Sequence, residues 1–494
     1  MFNRKNQKKA IEKMQKLPKL SLGNKPLTRE EIYEVNMNRE TNTKTLIYQI
    51  GRFDKGFNNP LKFKIKEKIY EKPLSSFALK EHLNSQKDTK LVLIYPISLL
   101  LNPIAKKLKL PLSFKEKLLK LLESSEEKEE YLKNPAEYFK LHPHSEFAND
   151  FLVIHSVGEY EGIEFSATFD DLVLEILFDM ISRYLDKPFT ELYLDISSGH
   201  NIYVSALIEA GRLFLTFYKL QNFLPQEDQL KVYIIFSDPI LPPYERIFKI
   251  HDGFPLDVKV FFSYPERPEQ FAFESAFSSF IKKLEIEDSS IKRQLNNLFS
   301  KGYFFYSAIK NNTPLVLYTW EYHKEEEIIK GIKYLINFIN SKLFQNYQKT
   351  PNINFESFRK AFLMLAIYLG IVKVLKFYEI KKKSEVSISE LNKKFRDEEN
   401  TIYKYFNLIQ NRTYFGHEIS NNFEKSEIKE KFQPEWKLLQ EFVSGESKDI
   451  QPRNFFAHCG FERNCVEVKR EGKEILLRYK SEILKKIENF ILRN

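Results

Sequence analysis

Six short apolar runs punctuate the first half of the chain: TLIYQIGRF at 45–53, KLVLIYPISLL at 90–100, FLVIHSVG at 151–158, TELYLDISSG at 190–199, KVYIIFSDP at 231–239 and DVKVFFSY at 257–264. They are rich in β-branched and aromatic residues, and Gly, Ser, Asp or Pro lies near their ends. Continuous hydrophobicity, without polar alternation, predicts strands buried on both faces, as in a parallel sheet. Between the runs the period lengthens. In TFDDLVLEILFDMISRYL (168–185), Leu172, Ile176, Met180 and Tyr184 recur at helical spacing, and NIYVSALIEAGRLFLTFYKL (201–220) is a second helical stretch. Strands alternating with helices predict a doubly wound, Rossmann-like α/β domain. The charged segment 102–150, containing LLESSEEKEEYLKNPAEYF, interrupts this alternation and reads as a helical insertion on the surface.

Beyond about residue 270 the pattern turns helical. EEEIIKGIKYLINFINSKLF (325–344) and FESFRKAFLMLAIYLGIVKVLKFYEI (355–380) are long and periodic. CVEVKREGKEILLRY (465–479) is an exception, with REG placed to turn a hairpin. SEVSISELNKKF (384–395) offers Ser389 as a helix N-cap and could open a small helix-turn-helix, with nothing in it that specifies DNA reading. The chain therefore divides into a basic extension (1–40), an α/β domain (41–268), a helical connector (269–350) and an all-α domain (351–494).

Composition narrows the partners. The 494 residues exceed one ordinary core, and 43% hydrophobic with 29% charged residues is a globular balance. A net charge of +10 suits an anionic partner such as a nucleic acid, a nucleotide or an acidic membrane surface, and equally a lysine-rich solvated surface, so charge alone does not decide. The two cysteines, Cys459 and Cys465, form no CxxC pair, so neither a zinc ribbon nor a disulfide framework is supported. The basic N-terminus has no apolar core of a secretory signal, and no apolar run approaches the ~20 residues of a membrane span. A reduced, cytoplasmic setting is the expectation.

The turn in LYLDISSGHN (192–201) is the first candidate for chemistry. Ligands of open α/β sheets bind beyond the carboxyl ends of the strands. Ser197, Ser198, Gly199, His200 and Asn201 would present donors and backbone N–H groups at a helix N-terminus, suited to phosphate or a base edge. Gly51 and Arg52 end the first strand, Ser76 lies near the start of the first helix, and Gly158 ends the third strand. These ends converge on one edge of a parallel sheet. The alternative for each is an ordinary strand-to-helix turn. Neither GxGxxG nor GxxxxGK[ST] is present, which disfavours dinucleotide and P-loop sites. His155 and His200 read as ligand-lining or core residues rather than metal ligands.

The second candidate is RNFFAHCG (453–460), which shares its Arg-x4-His spacing with RTYFGH (412–417). With 17 arginines and nine histidines, roughly 0.3 such matches arise by chance, so spacing alone decides nothing. Cleavage of RNA by its own 2′-hydroxyl needs a group that moves a proton near neutral pH and a cation on the phosphorane, which His and Arg supply. Asn454 beside Arg453 and helix-compatible Ala457 before His458 favour 453–458. Gly416 before His417 disfavours the other stretch, whose bland reading is a surface arginine and a satisfied histidine. One chain offers half of such a site, and a two-fold dimer would complete it.

These residues carry a family resemblance. RNFFAHCG resembles the Arg-Asn-x-x-Ala-His signature of HEPN ribonucleases, and LDISSGHN resembles the Asp-x-Ser/Thr-x-Gly-x-Asn turn of CARF domains. Their order is similar to that of the ancillary ribonucleases of type III CRISPR systems. The resemblance implies a CARF dimer that binds cyclic oligoadenylate, with cyclic tetra-adenylate favoured as activator. It implies a HEPN dimer that cuts single-stranded RNA without metal or other cofactor, leaving 2′,3′-cyclic phosphate ends. It assigns cleavage to Arg453, Asn454 and His458. The ligand falls to Gly51, Arg52, Ser76, Gly158, Ser197, Ser198, Gly199, His200 and Asn201. SSGHN stands where a bulkier or threonine-containing turn is common, which leaves ring size open. Two other classes remain: a nucleotide-sensing DNA-binding regulator without catalysis, and an ungated HEPN toxin ribonuclease.

Overall fold

A computed structural model describes residues 44–494, apart from 55, 86, 200, 226–228, 241–244, 345, 350–352, 398–400 and 444–449, and a strand pair at Ser21–Leu22 and Lys25–Pro26. The remainder of the basic extension 1–40 lies outside the described residues.

The α/β domain is built on an eight-stranded sheet. Its strands are β1 (Thr45–Ile50), β2 (Leu61–Ile65), β3 (Lys68–Lys72), β4 (Thr89–Pro96), β5 (Asp150–Ile154), β6 (Glu191–Asp195), β7 (Lys231–Ser237) and β8 (Ile247–Leu256). The spatial order is β3-β2-β8-β7-β6-β1-β4-β5. The stretch from β7 to β5 is parallel throughout, and β8 and β3 run antiparallel to their neighbours β7 and β2. After β1 the chain forms β2 and β3 at the far edge, crosses to β4 and β5 on one side of β1, then returns to the other side for β6 and β7. That reversal opens a crevice between the carboxyl ends of β1 and β6.

β1 is buried at every position, as its unbroken apolar run predicts. Its alternate residues feed two cores. Leu46, Tyr48 and Ile50 join the core containing Phe169–Asp186 and Asn201–Leu220, while Ile47 joins the opposite one with Leu91, Leu93 and Tyr95. The first helix of that pair starts with a capping box, Thr168 and Asp171 reciprocally bonded, worth about 1 kcal/mol.

The structure differs from the sequence reading in several places. The insertion 102–150 is helical, as expected, at Leu112–Glu123 and Ser125–Lys133, but it is no surface ornament. Phe114, Leu118, Leu121, Tyr131 and Phe139 are buried, and Phe139 stacks on Tyr95 of β4 at 4.6 Å. It covers a sheet face that would otherwise meet water. The run 257–264 is not a strand. β8 precedes it, and 257–264 becomes an aromatic strap in which Phe262 meets Phe406 at 4.4 Å and the Tyr264 hydroxyl donates to the Phe299 carbonyl. Ser389 is not the N-cap; Ser387 accepts from the Glu390 N–H, and Ser389 instead donates to Glu474. The helix so capped, Ile388–Asn392, follows the strand Val386–Ser387 and continues into the π-helical segment Lys393–Asp397.

The helical half contains Ser289–Lys310, Glu325–Leu343, Phe355–Phe377, Ile409–Ile419, Pro452–Ala457 and Leu484–Arg493. The expected hairpin is present as Val466–Glu471 and Glu474–Tyr479, within a four-stranded antiparallel sheet completed by Val386–Ser387 and Lys437–Leu438. One apolar core runs without a break from β1 to this end of the chain. Phe178 packs on Phe362 at 4.7 Å, and Gly370 lets Phe355–Phe377 approach the Leu220 carbonyl so closely that a Cβ would lie within 2.1 Å of it. No helix among the described residues is long and apolar enough to cross a membrane.

Candidate functional site

The crevice at the β1–β6 reversal is walled by a buried polar network. Gln49 and Asp195 are register partners at the strand ends. The Gln49 amide donates to Ser75 Oγ (2.9 Å), which donates to Asp195 Oδ2 (2.7 Å), and the Ser76 hydroxyl donates to Gln49 Oε1. Asp195 Oδ1 accepts the backbone N–H and hydroxyl of Ser197 (2.9 and 2.5 Å). Burial pushes the Asp195 carboxyl up to about 6, against the lowering influence of its serine donors. The network sets the start of the turn rigidly before the helix Asn201–Leu220 begins.

The expected ligand residues divide. Ser197, Ser198, Gly199 and Asn201 do share this turn. Gly199 has open space where a Cβ would stand, and Asn201 is exposed at the first position of the helix. Ser198 is buried, and its hydroxyl has no hydrogen-bond partner among the described residues. An orphaned buried hydroxyl at a helix N-terminus fits a ligand acceptor. His200 lies outside the described residues. Arg52 stands at the rim, its guanidinium forked onto Asp54 (3.0 and 3.1 Å), in an open cleft of about 830 Å³ with Asn59, Lys62 and Glu71. A second cleft of about 390 Å³ lies between Phe53, Ser98, Asn102, Tyr160 and Tyr203. Gly158 takes φ +100° in the hairpin Val157–Tyr160/Ile163–Ser166, which brings its neighbours Glu159 and Tyr160 to that second cleft.

Two expected ligand groups are structural. Ser76 is fully buried and spends its hydroxyl on Gln49. Gly51 is buried, and a Cβ there would fall 2.3 Å from the Tyr95 ring, so its small size serves packing against β4. His155 is a core residue. Burial pulls its pKa down most strongly, and the bonded Glu175 carboxylate more than reverses this, leaving it raised. Its ring stacks on Tyr347 at 4.9 Å, tying the helical connector to the α/β domain.

The second site is at Pro452–Ala457. Proline at the first helical position needs no N–H donor, and Phe455 anchors the short helix in the core against Phe490 and Tyr479. Cys459 and Gly460 adopt φ +52° and +81°, which ends the helix at His458. With Phe455 inward, Arg453 and Ala457 are exposed, and Asn454 and His458 are half-buried. Arg453 makes no ion pair among the described residues, so its charge is available to an anion.

His458 has a partner that the sequence reading missed. Its Nδ1 lies 3.1 Å from Glu418 Oε2, and Asn422 Nδ2 donates to the same carboxylate oxygen at 2.9 Å. A carboxylate can only accept, so the neutral ring keeps its proton on Nδ1 and offers Nε2 as a base. The bond to Glu418 raises the His458 pKa despite an opposing burial effect. Glu418 belongs to Ile409–Ile419, the helix that carries RTYFGH. In that stretch Arg412 donates to the Arg396 carbonyl at 2.6 Å, and His417 is exposed rather than satisfied. The signal was therefore present next door: the acidic residue after His417 supports the other histidine.

Residues 45–239 match the family model described as the CARF domain of the CRISPR system endoribonuclease Csx1, and residues 408–481 match that of its HEPN domain. No entry among curated proteins matches the chain. The sheet crevice and Ser197–Asn201 fall in the first match, and Glu418, Arg453, Asn454 and His458 in the second. The chain belongs to the CARF–HEPN CRISPR-associated ribonucleases, with a ligand-sensing domain at one end and an endoribonuclease domain at the other.

Proposed function

We propose that a cyclic oligoadenylate, cyclic tetra-adenylate in the first instance, bound across two CARF crevices switches on metal-independent cleavage of single-stranded RNA at two apposed HEPN edges. The observation that carries this reading is the His458–Glu418 pair, with Arg453 on the same short helix and without an ion pair among the described residues, on the chain that also holds a buried Ser198 hydroxyl without a partner among them. In this mechanism His458 Nε2 takes the proton of the 2′-hydroxyl as that oxygen attacks phosphorus. The 5′-oxygen leaves with a proton, and a 2′,3′-cyclic phosphate remains. Arg453 holds the phosphorane oxygens and Asn454 orients the ribose or phosphate. The second protomer supplies the acid. Ligand shifts the dimer toward the cutting arrangement only by binding that arrangement more tightly.

The purified chain is expected to degrade single-stranded RNA in EDTA on addition of cyclic tetra-adenylate, and His458→Ala to lose at least about a hundredfold in rate. Full activity in His458→Ala, or cleavage at the same rate without any cyclic oligoadenylate, would overturn the assignment or the gating respectively.

A further inference from the structure

The lysines around 376–394 have no part in either site. Lys376, Lys381, Lys383, Lys393 and Lys394 line an open groove of about 790 Å³, at the end of Phe355–Phe377 and along Ile388–Asn392 and the turn after it. Glu379 and Glu390 are the acidic lining residues, so cations outnumber them. Glu390 is already taken: Lys383 holds it at 2.6 Å and Lys394 at 3.0 Å, which fixes both ammonium groups in place. Lys376 is paired with Glu325. Lys381 and Lys393 are exposed and have no ion pair among the described residues. Phe377, next to Lys376, is 62% exposed.

A relay of contacts links the groove-lining segment to the nuclease edge. Lys393 and Lys394 begin the π-helical segment Lys393–Asp397, whose Arg396 pairs with Glu424 at 2.9 Å and accepts from Arg412 at its carbonyl. Gly416 fits against the Arg396 side chain, at 3.2 Å for a Cβ. Two residues on, Glu418 binds His458. Groove and catalytic edge therefore lie on consecutive packed elements of one domain.

We infer that this groove holds the sugar-phosphate backbone of the RNA strand being cut, away from its scissile phosphate. The inference rests on the ribonuclease reading and adds a substrate-binding site to it. Two pre-positioned ammonium groups and two without an ion pair among the described residues suit a flexible chain of repeated single charges, and lysine, a point charge, binds phosphate without reading a base. An exposed aromatic ring beside a cationic groove supplies a stacking surface for a single strand. Exposed cations without an acidic partner among the described residues leave the groove with a positive potential that attracts an anion from outside.

The test uses the full chain and a fluorescein-labelled 20-nucleotide 2′-O-methyl RNA, which cannot be cut, with Lys381→Ala/Lys393→Ala. Each backbone contact on a single strand contributes about 0.7 to the salt slope, so the double variant is expected to flatten the plot of log affinity against log salt by about 1.4. Affinity at low salt is expected to fall about tenfold. Cleavage of long RNA should weaken in KM while a tetranucleotide substrate is cut at the wild-type rate. Unchanged affinity and slope, with an unchanged melting temperature, overturn the inference. So does loss of binding confined to a polyglutamate peptide, which would make the groove a protein-docking surface. A wild-type chain that binds the 2′-O-methyl RNA yet cuts nothing with any activator defeats the nuclease reading and leaves the groove standing. A chain that cuts normally with both lysines removed defeats the groove alone.

Discussion

At the residue scale, the site turns on a carboxylate that supports a histidine from a different helix. Glu418→Gln keeps the shape and can still accept a bond from Nδ1–H, but loses the negative charge. The bond to Glu418 raises the His458 pKa, so the variant should shift the His458-dependent limb of the pH–rate profile to lower pH and slow cleavage about tenfold. The pair should also leave a trace in stability. A raised histidine pKa stabilises the fold below the unfolded value near 6.5, and the effect fades as pH rises through the folded pKa. Wild type and Glu418→Gln should thus differ more in melting temperature at pH 5.5 than at pH 8.5; equal differences would deny the pairing. RNFFAH stood out from RTYFGH because Asn454 and Ala457 lie inside the spacing. Glu418 was not, because a contact 40 residues away leaves no spacing to read. Ser76 and Gly51 show the converse. A small residue near a strand end has the same sequence signature whether it faces a ligand or, as here, Gln49 and the Tyr95 ring.

At the element scale, period was a good guide where the element was long and apolar. Asn201–Leu220 begins and ends where the pattern placed it, and Phe355–Phe377 stops three residues before the predicted end. Two interior strands, β2 and β8, escaped notice for physical reasons. β2 alternates buried Leu61, Phe63 and Ile65 with two lysines, a pattern that in a five-residue run looks like a charged loop. β8 contains Gly253 and Pro255, both strand-weakening, and is tolerated because its pairing with β7 shifts register between Ile234 and Phe236. One helix contact gives a sharp test. In an open helix Gly370→Ala would stabilise by about 1 kcal/mol. Here the new methyl meets the Leu220 carbonyl and the Phe223 ring, and overpacking of this kind costs ~1–3 kcal/mol, so the net change should be destabilising. Chemical denaturation measures it; a stabilised variant would mean that the two helices are not in close contact.

At the scale of the molecule, the sensing and cutting ends share one core, reaching from Leu46 to Leu492. A shared core makes partial unfolding costly, because each half would expose the surface the other buries. Calorimetry should therefore show one cooperative transition with calorimetric and van't Hoff enthalpies in agreement, and two resolved transitions would contradict the continuity. The sequence by itself determined the class of each half, the strand-end turn at 195–201 and the 453–458 edge, because period, turn chemistry and motif are local properties. Tertiary structure alone decided that Glu418 supports His458, that Ser76 is sealed away, that the 102–150 insertion covers a sheet face and that scattered lysines form one groove. Each of these is a contact between residues far apart in the chain, and burial and proximity exist only once the chain has closed on itself.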